Sequence, residues 1–236
     1  MRSMKTIAVA ASFGLVAAAQ AQDVVSNGSF ETPGPGFLIA EDWGQFNNVF
    51  ADESMEVTPQ DGLRSVKMFG QFIPEGQSDN GLFQVVPVVG GATYTLTTHA
   101  LSLASDSLQP FNETGSAGGG PFGHRAVCVV DFKDSGGNNV GSFEVDMWIP
   151  GQSPNDVWVQ ATASGVAPAN AVEAQVTPLL IQWDLATGAV FIDNISLVQE
   201  DAGPQPCNPA DLAEPFGVLD FSDVIAFLGF FGAGCD

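Results

Sequence analysis

Positive charge is the scarcest property of this sequence: 6 Lys and Arg stand against 27 Asp and Glu, for a formal charge of −21. Arg2 and Lys5 sit at the extreme N-terminus, so everything beyond it relies on Arg64, Lys67, Arg125 and Lys133 for cations. A chain so acidic repels phosphate backbones and anionic membrane surfaces, which argues against nucleic acid as a partner. Divalent cations suit it better, because carboxylates are their usual ligands. Solubility alone accounts for most of the charge.

Histidine is almost absent too, with only His99 and His124. The sequence has no nucleophile elbow, no His-rich metal motif and no phosphate loop. A glycosidase needs only two carboxylates, but nothing here marks a pair. The expectation is a protein that is not an enzyme.

Cysteine occurs three times. Cys128 lies in the apolar run Ala126–Val130 and reads as a small buried hydrophobe. Cys207 and Cys235 bracket the C-terminal segment, and in an oxidising compartment this pair should bond. Closing such a loop would stabilise the fold by roughly 3–4 kcal/mol on the chain-entropy model.

Long apolar runs are missing except at the start. Ile7–Ala19 is apolar over about 13 residues, where a spanning helix needs ~20. Arg2 and Lys5 precede it, and Ala19-Gln20-Ala21 follows as a small-x-small cleavage site. Residues 1–21 are therefore expected to be a cleaved signal peptide. The mature chain is then secreted, with no membrane insertion after cleavage.

What is abundant is β pattern. Eight strands are expected, at 65–69, 81–86, 93–101, 126–132, 142–147, 157–163, 173–181 and 189–198. They are rich in Val, Ile, Thr, Phe and Trp, and several alternate, as in Tyr94-Thr95-Leu96-Thr97. Gly90-Gly91, Asp134-Ser135-Gly136-Gly137-Asn138 and Thr187-Gly188 supply turns. The pattern predicts an all-β fold, an antiparallel two-sheet sandwich over 23–199. The stretch 105–123, with Gly115, Gly118, Gly119 and Gly120, is long for a connection. Loops of that length are sometimes functional. Residues 200–206, with Gly203, Pro204 and Pro206, read as a linker to a second unit at 207–236.

Four segments occur in a telling order: Val25–Glu31 followed by Trp43; Asp61–Met68; Leu82–Val88 with Gly91–Leu96; and Val190–Leu197. Together they resemble the galactose-binding-like, or jelly-roll, β-sandwich of carbohydrate-binding modules attached to extracellular glycanases. That resemblance implies a glycan or polysaccharide partner, core tryptophans at Trp43 and Trp158, and a structural Ca²⁺. Glu31 follows the first strand and Asp193 lies in the last. If the terminal strands are neighbours, both carboxylates and nearby carbonyls can form a hard oxygen cage. Alternatively they are solvated, or pair with Arg64 or Lys67. Sugar recognition needs aromatic faces beside amides or carboxylates. Trp148 and Trp183 are the expected platforms, with Gln71 and Gln84 as hydroxyl partners and Gln45, Asn47 and Asn48 in reserve.

In the second unit, Phe221, Val224, Phe227, Leu228 and Phe231 fall on one side at helical spacing, and Asp220 can cap the helix. The unit is similar to the cysteine-bracketed dockerin-like module of GC-type dockerin domain-anchored secreted proteins. That similarity implies a tether to a surface or assembly protein. Aligned to a twelve-residue calcium loop, Gly217, Asp220 and Asp223 fall at positions six, nine and twelve. Phe216 and Leu212 occupy ligand positions five and one, so Asp220 and Asp223 are left as an incomplete set of calcium ligands. So short a unit hides little apolar surface, which makes Phe227, Phe230 and Phe231 the expected docking face. Three functions stay open: a surface-anchored carbohydrate-binding protein, a structural or adhesive surface protein without a sugar ligand, and a small extracellular hydrolase.

Overall fold

Alternation carries most of this chain into strands. In Thr93–Leu101 the side chains of Tyr94, Leu96, Thr98 and Ala100 are buried while the residues between them are only partly covered. The structure, a computed structural model, describes residues 21–52, 56–200 and 221–233. Its strands are β1 (Gln22–Asp23), β2 (Gly44–Phe46), β3 (Val49–Ala51), β4 (Val66–Phe69), β5 (Gln77–Pro87) and β6 (Thr93–Leu101). Then follow β7 (Gly123–Lys133), β8 (Asn139–Trp148), β9 (Val159–Val166), β10 (Glu173–Trp183) and β11 (Ala189–Gln199). A 3-10 turn, Ala104–Asp106, lies between β6 and β7, and one helix, α1, spans Phe221–Ala233. All eight expected strands are present as β4 to β11.

One sheet has the order β3-β4-β11-β6-β9 with β1 added on β11, and the other has the order β2-β5-β10-β7-β8. All strand pairings are antiparallel. The first and last strands are neighbours, with Gln22 opposite Gln199. Between the sheets lie Phe30, Trp43, Met68, Leu82, Tyr94, Phe132 and Ile192, all essentially inaccessible to solvent. Each such side chain contributes about 1.5–3 kcal/mol by burial. The buried Tyr94 hydroxyl is satisfied: it accepts from Val89 N–H at 2.7 Å and donates to Gln199 Oε1 at 3.1 Å. Cys128 is buried in the core, and burial raises its thiol pKa well above the ordinary value.

The chain divides into two compact units, and the sandwich is the one spanning Ala21–Asp201. Helix α1 belongs to the other unit. It has Asp223, buried, in its first turn and exposes Phe221, Ile225, Phe227 and Leu228. No helix among the described residues is long and apolar enough to cross a membrane. The expected signal peptide (all but Ala21), most of the linker, Asp220 and the Cys207–Cys235 disulfide lie outside the described residues. So do the side chains of Phe230 and Phe231.

Candidate functional site

The long loop between β6 and β7 forms one wall of an aromatic cleft. Two isolated bridges, Pro110 with His124 and Asn112 with Phe122, fold the loop back along its own end. Gly123 makes the approach possible. Its φ is +108°, and a Cβ there would run into the Pro110 carbonyl, so only glycine fits without strain. His124 then holds the base of the loop. Its N–H donates to Gln109 O at 2.9 Å, and its Nδ1 accepts from Gln109 N–H at 3.1 Å. An accepting Nδ1 requires a neutral ring, and burial keeps it so by lowering the His124 pKa to about 4.

Pinned in this way, Phe111 stands against Trp183, with ring centroids 4.4 Å apart and planes at 53°. Phe111 is 45% exposed and Trp183 is half-buried. The register that places Trp183 opposite Gly123 brings the β10 end and the loop base together. Beside the two rings lies a cleft of about 410 Å³ that also takes in Arg125, Asp146 and Gln152. Arg125 donates from Nε to Asp146 Oδ1 at 2.8 Å and from Nη2 to Glu144 Oε1 at 2.6 Å. All three side chains are exposed, so these ion pairs add at most ~1 kcal/mol to stability; they do fix the guanidinium. Two aromatic faces beside a fixed guanidinium, a carboxylate and an amide can pack a pyranose ring and bond its hydroxyls. A broader recess of about 730 Å³ also takes in Phe111 and is walled by that loop alone.

Of the four side chains expected to bind sugar, the structure places only Trp183 in the cleft with an accessible face. Trp148 lines the cleft but is 1% exposed, so it is a core residue and not a platform. The reason is a bulge: Ala126 pairs with Trp148 and Val127 with Asp146, leaving Met147 extra, and Met147 and Trp148 both turn inward. Gln84 is a clamp, not a ligand. It is buried, its Oε1 accepts from Ser26 N–H and its Nε2 donates to Ser26 O, each at 2.9 Å. Gln71 is exposed between β4 and β5 and does not line the cleft. The amides of Gln45, Asn47 and Asn48 are engaged with backbone. Trp43 is core as expected, while Trp158 is only partly buried and donates to Thr58 O at 2.8 Å. Phe111, Arg125, Asp146 and Gln152 were not anticipated; the Gly-rich break at 105–123 was a visible signal for Phe111 alone.

The Glu31 and Asp193 carboxylates meet on one loop. Asp193 Oδ2 accepts from the N–H groups of Gln60 and Asp61, at 2.8 and 3.1 Å. Glu31 Oε1 accepts from Leu63 and Arg64, at 2.9 and 2.8 Å. Gly62 lies between them with φ +62°, and a Cβ there would collide with the Glu31 carboxyl group. Burial raises the Asp193 pKa to about 6 against three backbone hydrogen bonds, and the Glu31 charge adds to the rise. Neither Arg64 nor Lys67 pairs with them: Arg64 Nη2 donates to Ile39 O, and Lys67 bonds Glu56. Two adjacent carboxylates without a cation fit a hard divalent ion. Among the described residues no three His, Cys, Asp or Glu side chains group as a metal site, so backbone carbonyls would have to complete the cage.

No protein-family model matches this sequence. No curated protein is significantly similar to it. Solved structures do match it in fold. A Stig cyclase from Fischerella sp. TAU superposes with a TM-score of 0.50 at 16% identity, over 78% of this chain and 100% of that one. The CBM22-1 xylan-binding domain from Paenibacillus barcinonensis Xyn10C gives 0.47 at 16% identity, over 79% and 99%. The enzymatically active domain of tailspike protein 4 from bacteriophage CBA120 gives 0.48 at 16% identity; the match covers 74% of this chain but only 21% of that one. At these identities the likeness is one of fold.

Proposed function

We propose that this chain is a secreted, surface-anchored, non-catalytic protein whose sandwich binds carbohydrate in the Phe111–Trp183 cleft. The observation that carries this reading is the pair of accessible rings, 4.4 Å apart, beside Arg125, Asp146 and Gln152 in one cleft. Rings take the C–H face of a sugar, and the polar side chains take its hydroxyls. Neither titratable group of the cleft besides Arg125 is free to act as a catalytic acid or base. Asp146 is bonded to Arg125, and His124 is held neutral against Gln109. Glu31 and Asp193 hold a structural Ca²⁺ that ties the 60–64 loop to the first and last segments of the sandwich. Secretion rests on the N-terminal signal pattern. Anchoring rests on the cysteine-bracketed C-terminal unit, which docks a surface or assembly protein through Phe227, Phe230 and Phe231.

Affinity electrophoresis through gels containing soluble polysaccharides tests the binding reading, with xylan as the first probe. Retardation of the parent, relieved at least tenfold by Trp183→Ala, is expected. Equal retardation of parent and variant would remove Trp183 from the site.

A further inference from the structure

A second recess, of about 320 Å³, is walled in part by the other sheet and shares no lining residue with the Trp183 cleft. One wall is β4, where Val66 and Met68 point into the core and Lys67 and Phe69 point out. Phe69 stacks on Phe50 of β3, with centroids 5.2 Å apart and planes 6° from parallel. Lys67 is fixed twice: its Nζ donates to Glu56 Oε2 at 2.7 Å and sits 5.3 Å from the centre of the Phe191 ring. The facing wall is the 3-10 turn with Asp106 and the β10–β11 turn with Thr187. Gly188 lets those turns seat together, because it has φ +137° and a Cβ there would meet the Ser107 carbonyl.

Phe72 stands at the mouth of this recess in an unusual state. Its φ is +55°, a conformation that bulky side chains rarely adopt. The buried Gln182 holds it there, accepting at Oε1 from Phe72 N–H at 2.8 Å and from Ser78 Oγ at 3.1 Å. The backbone is thus strained while the phenylalanine stays 40% exposed. Strain kept at a partly exposed ring that lines a recess points to use.

We propose that this recess is a second glycan site, taking one pyranose unit of a neutral polysaccharide. Phe72 and Phe69 supply apolar faces for the ring carbons. Lys67 donates to hydroxyls, Asp106 accepts from them, and Thr187 can do either. A neutral sugar fits because Glu56 already balances Lys67 and Asp106 adds a negative charge, so an acidic sugar meets net repulsion. With sites on both sheets, one chain bridges two polysaccharide strands.

The test is an amide-shift titration of the full mature chain with xylohexaose, cellohexaose and β-1,4-galactotriose. Residues 67–72 and 187–188 should respond to at least one sugar with a saturation curve separate from that of residues 110–125 and 183. Trp183→Ala should silence only the cleft set. Phe72→Gly removes the ring while easing the positive φ, so cooperative thermal unfolding should be retained while affinity at the second set falls at least tenfold. Shifts confined to the cleft set, or a second set indifferent to Phe72→Gly, overturn the second site and leave the cleft reading standing. No response of either set to any of the three sugars overturns both.

Discussion

Replacing Gly123 by alanine tests how the cleft is built. The new Cβ sits at φ +108° and faces the Pro110 carbonyl, so two costs combine. A non-glycine residue in such a conformation costs about 1–3 kcal/mol. Displacing the 109–111 segment breaks the two Gln109–His124 hydrogen bonds, each contributing about 0.5–1.5 kcal/mol. The expected loss is about 2–6 kcal/mol, which for a domain of this size lowers the unfolding midpoint by roughly 4–24 °C. Calorimetry of the parent and Gly123→Ala reads this directly. Gly119→Ala is the internal control. It lies in the same loop at φ +79°, but no atom comes within 4 Å of its Cβ position, so it carries only the backbone cost. Phe111 moves with the loop, so Gly123→Ala should also weaken xylan retardation where Gly119→Ala does not. Equal midpoints for the two variants would refute the close approach as the reason for glycine at 123.

Calcium should raise the unfolding midpoint of the parent, by about 2.7 kcal/mol of added stability at a hundredfold excess over its dissociation constant; the same response in a Glu31→Ala, Asp193→Ala double variant would dismiss these ligands. His124 gives a pH dependence of known sign. Its pKa is about 4 folded against 6.5 unfolded, so the unfolded state binds more protons between those values. Its contribution is complete above pH 6.5 and falls by about 3 kcal/mol as pH drops to 4. Asp193 acts oppositely, because its pKa is about 6 folded against 3.8 unfolded and its ionisation costs stability as pH rises through that range. Only the difference between the parent and His124→Asn isolates the histidine, and a pH-independent difference would contradict the assignment. Fusion of residues 200–236 to an unrelated secreted reporter should retain it on the producing cell, and Phe227→Ser with Phe231→Ser should release it; escape of the intact fusion into the medium would reject anchoring.

The sandwich was legible because its long strands alternate and their turns carry Gly, Asn and Asp. β1, β2 and β3 were not, since two or three residues are too few to display a period. Glu31 and Asp193 were brought together on the condition that the terminal strands are neighbours, which the pairing of β1 with β11 meets. Trp148 and Gln84 were misplaced for local reasons. A one-residue bulge turned Trp148 into the core, and the amide of Gln84 found a backbone partner 58 positions away at Ser26. Phe111 and Arg125 come together only through a loop folded back by Gly123, a contact that no sequence period encodes.

The central claim, that the Phe111–Trp183 cleft takes a sugar, is tested most directly by following the four tryptophan indole N–H signals during titration with soluble xylan and β-1,4-linked oligosaccharides. Trp183 is the one tryptophan with an accessible face in that cleft, whereas Trp43 is buried and already donates to Asn27 O at 3.0 Å. A saturable shift of the Trp183 signal, with Trp43 unmoved, is the predicted result. A Trp183 signal that stays fixed while the protein is retained on the same polysaccharide would contradict the assignment of the site.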